Sequence, residues 1–256
     1  MDSVITSFER YEVKYFLTEA QKNQLMPILQ KHLDVDQYGL HTISNIFFDT
    51  DTYEITRASI EKPIYKEKLR VRAYGTPDPE TGKVFIELKK KYNKVVYKRR
   101  IHLPVPEARA FLLEGKVPEN TDPQITAEIK RFMDIHHPKP KVFLCYDRFA
   151  MFGREDPDLR ITFDSNLLWR DTDLTLCSGA YGEPILPDAR YIMEIKIPGV
   201  MPLWLARALS DLKIYRTSFS KIGTCLKQFI IPNRFAEKTT KKVVSFACLT
   251  PSSPAV

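Results

Sequence analysis

The chain has little of what metal-stapled, secreted or membrane-spanning proteins rely on. Its four cysteines, Cys145, Cys177, Cys225 and Cys248, stand far apart and form no C-x-x-C pair. That pattern indicates neither a zinc site nor a disulfide framework, and a reducing, cytoplasmic setting is the expectation. Only five histidines occur, and His102, His136 and His137 fall near strand or helix ends, where they read as surface residues. Nowhere do about 18 uninterrupted apolar residues follow one another, so no integral membrane segment is expected. Association with a membrane through a protein partner stays open. The opening MDSVITSFER has neither the basic nor the apolar region of a secretory signal. There is no repeat at a fixed period, no base-recognition motif, and no linker long enough to divide the chain.

What the chain does have is positive charge, +7 over 256 residues, and it is laid out at the period of a strand. In FERYEVKYFL, Arg10, Glu12 and Lys14 project to one side while Tyr11, Val13, Tyr15 and Leu17 project to the other. YKEKLRVRAY repeats this with Lys66, Lys68, Arg70 and Arg72 against Leu69, Val71 and Ala73. KVFIELKKKY sets Glu87 and Lys89 against Val84, Ile86 and Leu88. KVVYKRRIHL sets Lys98, Arg100 and His102 against Val95, Tyr97 and Ile101, with Arg99 intruding on the apolar side. Later strands carry Arg148, then Arg160, Thr162 and Asp164, then Glu194 and Lys196 on the corresponding face.

Between the strands, Thr18-Glu19-Ala20-Gln21 has the form of a capping box and predicts a helix over 18–33, with Pro27 as a kink. A strand is predicted over 41–50, and a short helix to about residue 60 capped by Asp51 or Thr52. Further helices are predicted over 105–114, 123–137, 202–212 and from Ser218 or Ser220 to 229, whereas the stretch around Trp169 reads as loose. Residues 1–231 read as one domain and 232–256 as a basic, Pro/Ser-containing tail that is expected to be mobile.

A solvent-facing sheet would mix its charges, but here cations on the shared face far outnumber Glu12, Glu87, Asp164 and Glu194. Helices are available to cover the apolar faces. The economical architecture is therefore α+β: a closed or nearly closed antiparallel β-barrel of about eight strands, with helices outside and charge inside. Unpaired buried charge costs several kcal/mol per ion, on the order of the penalties known for buried ion pairs, unless an anion fills the space. A chain of phosphates suits an interior that offers both Arg forks and Lys point charges. One to three of the carboxylates, among them Glu12, Glu87 and Glu194, could hold a hard divalent cation together with phosphate oxygens. The alternative for each acid is a salt bridge to a neighbouring cation.

RYEVKY, KLRVR, FIELKKK with YKRR, CYDRFAMFG, LRITFD, IMEIKI and FSKIG, in this order over roughly residues 8–231, closely resemble the polyphosphate-polymerase domain of the vacuolar transporter chaperone family. That family lies within the CYTH-like triphosphate tunnel metalloenzymes. The resemblance implies a β-tunnel that binds ATP or another triphosphate and polyphosphate, uses Mn2+ or Mg2+, and moves a γ-phosphate onto a growing chain. It implies phosphate-binding roles for Lys14, Arg70, Arg72, Lys89, Lys98, Arg148, Arg160 and Lys221, with Ser220 beside the last, and a metal-ligand role for Glu194. Arg10, Arg100 and Lys196 on the same face are added as substrate contacts.

The wider superfamily carries E-x-E-x-K on its first strand, whereas this chain reads Arg10-x-Glu12-x-Lys14, which favours the polymerase-like members. With no further domain on either side in this sequence, a stand-alone catalytic domain is expected. Two other functions compete: hydrolysis of tripolyphosphate or nucleoside triphosphates, and non-catalytic polyphosphate binding. Nucleic acid is not an expected partner, because the cations sit at strand period with few aromatics to stack bases.

Overall fold

The computed structural model describes residues 11–93, 95–186 and 190–232. Arg10, Lys94 and residues 233–256 lie outside the described residues. The strands are β1 Tyr11–Leu17, β2 Leu33–Asp49, β3 Tyr65–Tyr74, β4 Lys83–Tyr92, β5 Val95–Pro104, β6 Lys139–Gly153, β7 Arg160–Arg170, β8 Glu183–Pro184, β9 Tyr191–Ile197 and β10 Arg216–Thr217. The helices are α1 Glu19–Leu29, α2 Glu54–Ile60, α3 Val105–Glu114, α4 Pro123–His136, α5 Leu203–Asp211 and α6 Lys221–Cys225, the last continued by a π-helical turn over Leu226–Ile230.

All ladders are antiparallel and run in the order β10-β1-β9-β7-β6-β2-β3-β4-β5, with β8 added to β7. The sheet holds ten strands rather than about eight, and no ladder among the described residues joins β5 back to β1 or β10. It still curls on itself. Lys89 on β4 feels the charge of Glu12 on β1, and Lys68 on β3 that of Lys14, although these strands are not neighbours.

The apolar faces pack outward on helices, as the alternation requires. Leu69, Val71 and Ala73 of β3, Val84, Ile86 and Leu88 of β4, and Ile101 and Leu103 of β5 form one core with Ala108, Phe111 and Leu112 of α3 and Ile129 and Phe132 of α4. Tyr15 and Leu17 of β1, Ile161 and Phe163 of β7, and Met193 and Ile195 of β9 form a second with α1 and α5. Arg99, the cation on the apolar side, is held by Glu128 of α4 at 3.4 Å.

Local chemistry corrects several boundaries. The Thr18–Gln21 capping box forms, but α1 ends two residues after Pro27, and Leu33 opens β2. β2 is 17 residues long and reaches well before residue 41. Its first part contains Asp36, Gly39 and a register shift between Val35 and Leu40, turn-like chemistry that hides a strand. Helix α2 is capped neither by Asp51 nor by Thr52. The Asp49 carboxylate, 2% exposed, accepts from the Ile55 and Thr56 amides at 3.0 and 2.9 Å. The stretch around Trp169 is strand, because β7 runs on to Arg170.

Candidate functional site: the charged inner face

Period two brings the charged side chains of β1, β3–β7 and β9 to the concave side. Register fixes who meets whom: Arg70 stands opposite Glu87 and Glu87 opposite Arg100, while Lys68, Lys89 and Lys98 form the next row. On the other wall, Lys14 stands opposite Glu194, and Arg148 opposite Asp164.

Glu87 is the hub of the first group. It is 1% exposed. Arg70 donates through Nε and Nη2 to Oε2 at 2.8 and 2.6 Å. Arg72 Nη1 lies 3.8 Å from the same oxygen, and Lys98 Nζ and Arg100 Nε lie 2.9 and 3.2 Å from Oε1. Burial pushes the Glu87 carboxyl up, but Arg70, Arg72 and Lys98 outweigh it and hold the pKa at about 2. Arg72, itself buried, also donates to Asn45 Oδ1 at 2.9 Å and to the Tyr146 hydroxyl at 3.3 Å.

Asp164 and Glu194 anchor the second group. Arg148 forks onto Asp164 with Nε–Oδ1 2.6 Å and Nη2–Oδ2 2.7 Å, and Lys221 Nζ reaches Oδ2 at 2.5 Å. Glu194 meets Lys14 at 3.1 Å, Lys221 at 3.4 Å and Arg148 at 3.8 Å. Burial raises the Glu194 pKa, yet Lys221, Lys14 and Arg148 together hold it well below the usual carboxylate range. The Tyr146 ring lies beneath both Lys221 and Arg148, 4.7 and 5.2 Å from its centroid.

A third group makes no direct ion pair. Among the described residues, Lys68, Lys89 and Lys196 have no carboxylate within ion-pair distance. Burial lowers the pKa of all three. For Lys68, repulsion from Lys66, Lys89 and Lys14 adds to burial and brings the value to about 8. Lys89 is nevertheless solvent-exposed. Protein closely surrounds it and water still reaches it, as expected of a side chain projecting into a water-filled tunnel.

Part of the inner face is apolar and covered. Ile43, Leu144, Tyr146 and Ile192, all on the concave side, pack against Ile222, Cys225 and Leu226 of α6 and its extension. α6 thereby delivers Lys221 to Asp164 and Glu194. Ser220 caps this five-residue helix, accepting from the Gly223 amide at 3.3 Å, so its hydroxyl serves α6 itself. Arg160 lies exposed at the start of β7, opposite Lys196, at the margin of the charged face.

For a divalent metal the acids divide unequally. Glu87 is enclosed by cations and stands apart from the other acids, which makes it a counter-ion. Glu12 and Glu194 approach one another closely enough that each disfavours the other's charge, with Lys14 Nζ 3.3 Å from Glu12 and 3.1 Å from Glu194. Thr162, the register partner of Glu194, has a buried hydroxyl without a hydrogen-bond partner among the described residues. Two carboxylates and a free hydroxyl suit a hard cation that takes its other ligands from phosphate and water. No cluster of three acid, Cys or His side chains that could hold a metal alone occurs among the described residues.

Sequence reasoning placed Asp164 on the charged face without giving it a site role, and passed over Asn45 and Tyr146. Asn45 had a signal in its polarity within the apolar run of HTISNIFF, and it is fully buried.

No curated protein matches the chain. Among solved structures, a "putative adenylate cyclase" from Bacillus halodurans superposes with a TM-score of 0.51 at 14% identity, covering 85% of this chain and 95% of its own. A protein of the same description from Vibrio parahaemolyticus gives 0.43 at 14% identity, over 85% and 97%. The first likeness shows the fold alone, a curled antiparallel sheet with helices outside. The sequence profile of the VTC domain matches residues 9–230, so the chain belongs to the VTC-domain family.

Proposed function

We propose that the protein transfers the γ-phosphate of a nucleoside triphosphate to the end of a polyphosphate chain held in the same tunnel. The observation that carries this reading is the row Arg72, Arg70, Lys68 and Lys66 on one strand face. Six residues at ~3.3 Å each make a cationic path of roughly 20 Å, longer than a triphosphate, and Lys68 in this row, with its register partner Lys89 on β4, makes no ion pair among the described residues. Arg70, Arg72, Arg148 and Lys221 are now bound to carboxylates, and phosphate oxygens would compete with those carboxylates for the same donors. The terminal oxygen of polyphosphate, or of orthophosphate at the start, attacks the γ-phosphorus in line. The β–γ bond breaks, and the nucleoside diphosphate leaves. No side-chain nucleophile takes part.

Glu12, Glu194 and the Thr162 hydroxyl would hold Mg2+ or Mn2+, which when bound neutralises charge on the phosphate oxygens. The chain's own work is to align the phosphates and to supply fixed positive charge in a space that already holds it without relaxation.

Hydrolysis is the second reading, and the apolar cover that α6 lays over Ile43, Tyr146 and Ile192 favours it, since a hydrolase needs only one open mouth. Incubation with ATP and Mn2+ separates the two. Polyphosphate and ADP in matching amounts support the transferase, and ADP with orthophosphate and no polyphosphate overturns it.

A further inference from the structure

The ionic face is interrupted at one end by rings. Tyr74 is the residue after Arg72 on the concave side of β3, and Phe85 stands opposite Arg72 on β4. Around them a row of aromatic side chains crosses four strands. Tyr38 to His41 is 6.0 Å between centroids, His41 to Tyr74 5.9 Å, Tyr74 to Phe85 5.6 Å, and Phe85 to His102 6.2 Å. The row is not buried core: Tyr38 is 66% and Tyr74 47% exposed. Arg100 joins it to the phosphate-facing cations. Its guanidinium lies 3.7 Å over the Phe85 ring, donates to the Tyr74 hydroxyl at 2.9 Å, and pairs with Glu87 at 3.2 Å.

Exposed rings that continue a row of cations call for a ligand that is itself charged at one end and aromatic at the other. Tyr74 is two residues, ~7 Å of backbone, along β3 from Arg72, and its hydroxyl feels the Arg72 charge, so the rings begin directly beside the Arg72 side chain. We propose that this row is the base platform of the site: the nucleobase of the triphosphate stacks on Tyr74 and His41, beside the Arg100 plane, while its phosphates run from Arg72 toward Lys68. The proposal rests on the triphosphate reading and adds to it where the nucleoside sits and which way the phosphates point. Stacking accepts any base through its π face, so ATP and GTP bind similarly.

Calorimetric titration in metal-free buffer, with ATP and inorganic tripolyphosphate as paired ligands, tests it. Replacing both His41→Ala and Tyr74→Ala weakens ATP by about tenfold or more, the loss of one stacking contact, and leaves tripolyphosphate within about twofold. Tyr74→Phe, which keeps the ring and removes the bond to Arg100, retains most of the ATP affinity. As a second readout, Tyr38→Ala, which removes the exposed ring that meets His41 edge-on, leaves the fold intact and reduces the fluorescence change of etheno-ATP on binding. Equal weakening of both ligands, or unchanged ATP affinity, overturns the base platform. Failure of the wild-type protein to bind tripolyphosphate would instead remove the triphosphate reading, and this one with it.

Discussion

Arg70 gives both of its hydrogen bonds to one oxygen of Glu87, at 2.8 and 2.6 Å, and so leaves the other oxygen to Lys98 and Arg100. One buried carboxylate thus holds the upper cations in place in the ligand-free protein. Glu87→Gln is expected to lower ligand-free stability by about 3–5 kcal/mol, the usual result of leaving buried charges uncompensated. Saturating tripolyphosphate should restore most of it. The wild-type pH profile carries the same signature. A carboxyl held at about 2, against 4.5 ordinarily, contributes stability that is complete above pH 4.5 and is lost as pH falls toward 2. Urea melts across this window, wild type against Glu87→Gln, would show it, and parallel profiles would refute it.

Arg70 and Arg72 should separate in stability while agreeing in binding. Arg70→Ala leaves Glu87 with three other cations, so ligand-free stability changes by less than about 1 kcal/mol. Arg72→Ala strands the buried Asn45 carbonyl and costs about 1–3 kcal/mol. Both should weaken tripolyphosphate at least about tenfold, as for lost charge-assisted bonds. A variant that loses stability but binds normally would remove that residue from the site.

Lys68 makes the site sensitive to mild alkali. Its pKa of about 8 lies below the ordinary 10.5, so between these values the unfolded chain holds a proton that the folded protein lacks. Ligand-free stability attributable to Lys68 therefore rises with pH across that window. Binding of a polyanion reverses the balance by favouring the charged lysine, so at pH 9 tripolyphosphate should bind with proton uptake. Titrations in two buffers of different ionisation enthalpy count those protons. Lys68→Met should take up fewer, and an identical count would exclude Lys68 from the phosphate path.

Glu194→Gln tests the metal position. Metal-dependent turnover should fall to background, while metal-free affinity for tripolyphosphate stays the same or rises, because Lys14, Lys221 and Arg148 are released from a competing carboxylate. Loss of metal-free binding would mark Glu194 as a structural counter-ion.

The two-faced strands were legible because their chemistry is local. In KLRVRA the ionic and apolar sets alternate without exception, and period two alone assigns each residue to its side. Contacts between distant strands were not. Nothing in IMEIKI states that Glu194 meets Lys14 from the first strand and Lys221 from the last helix. Glu87 and Glu194 look alike in sequence, each an acid between apolar residues, and only their neighbours divide them into a counter-ion and a candidate metal ligand. Asp49 was hidden for a related reason: an acid ending a strand resembles a turn, and its role is set by amides six and seven residues ahead.

β1 lies between β9 and β10, so the first described strand is held on both sides by strands from the last third of the chain. Closing a loop that long must precede any contact that rewards it, which places this pairing among the slow, late events of folding. Lys14 reaches Glu194 only then. Until β1 inserts, the second cation group has no first-strand wall, and Glu194 has only Lys221 and Arg148 as partners. The assembly order thus brings Lys14 to a carboxylate that is already in place.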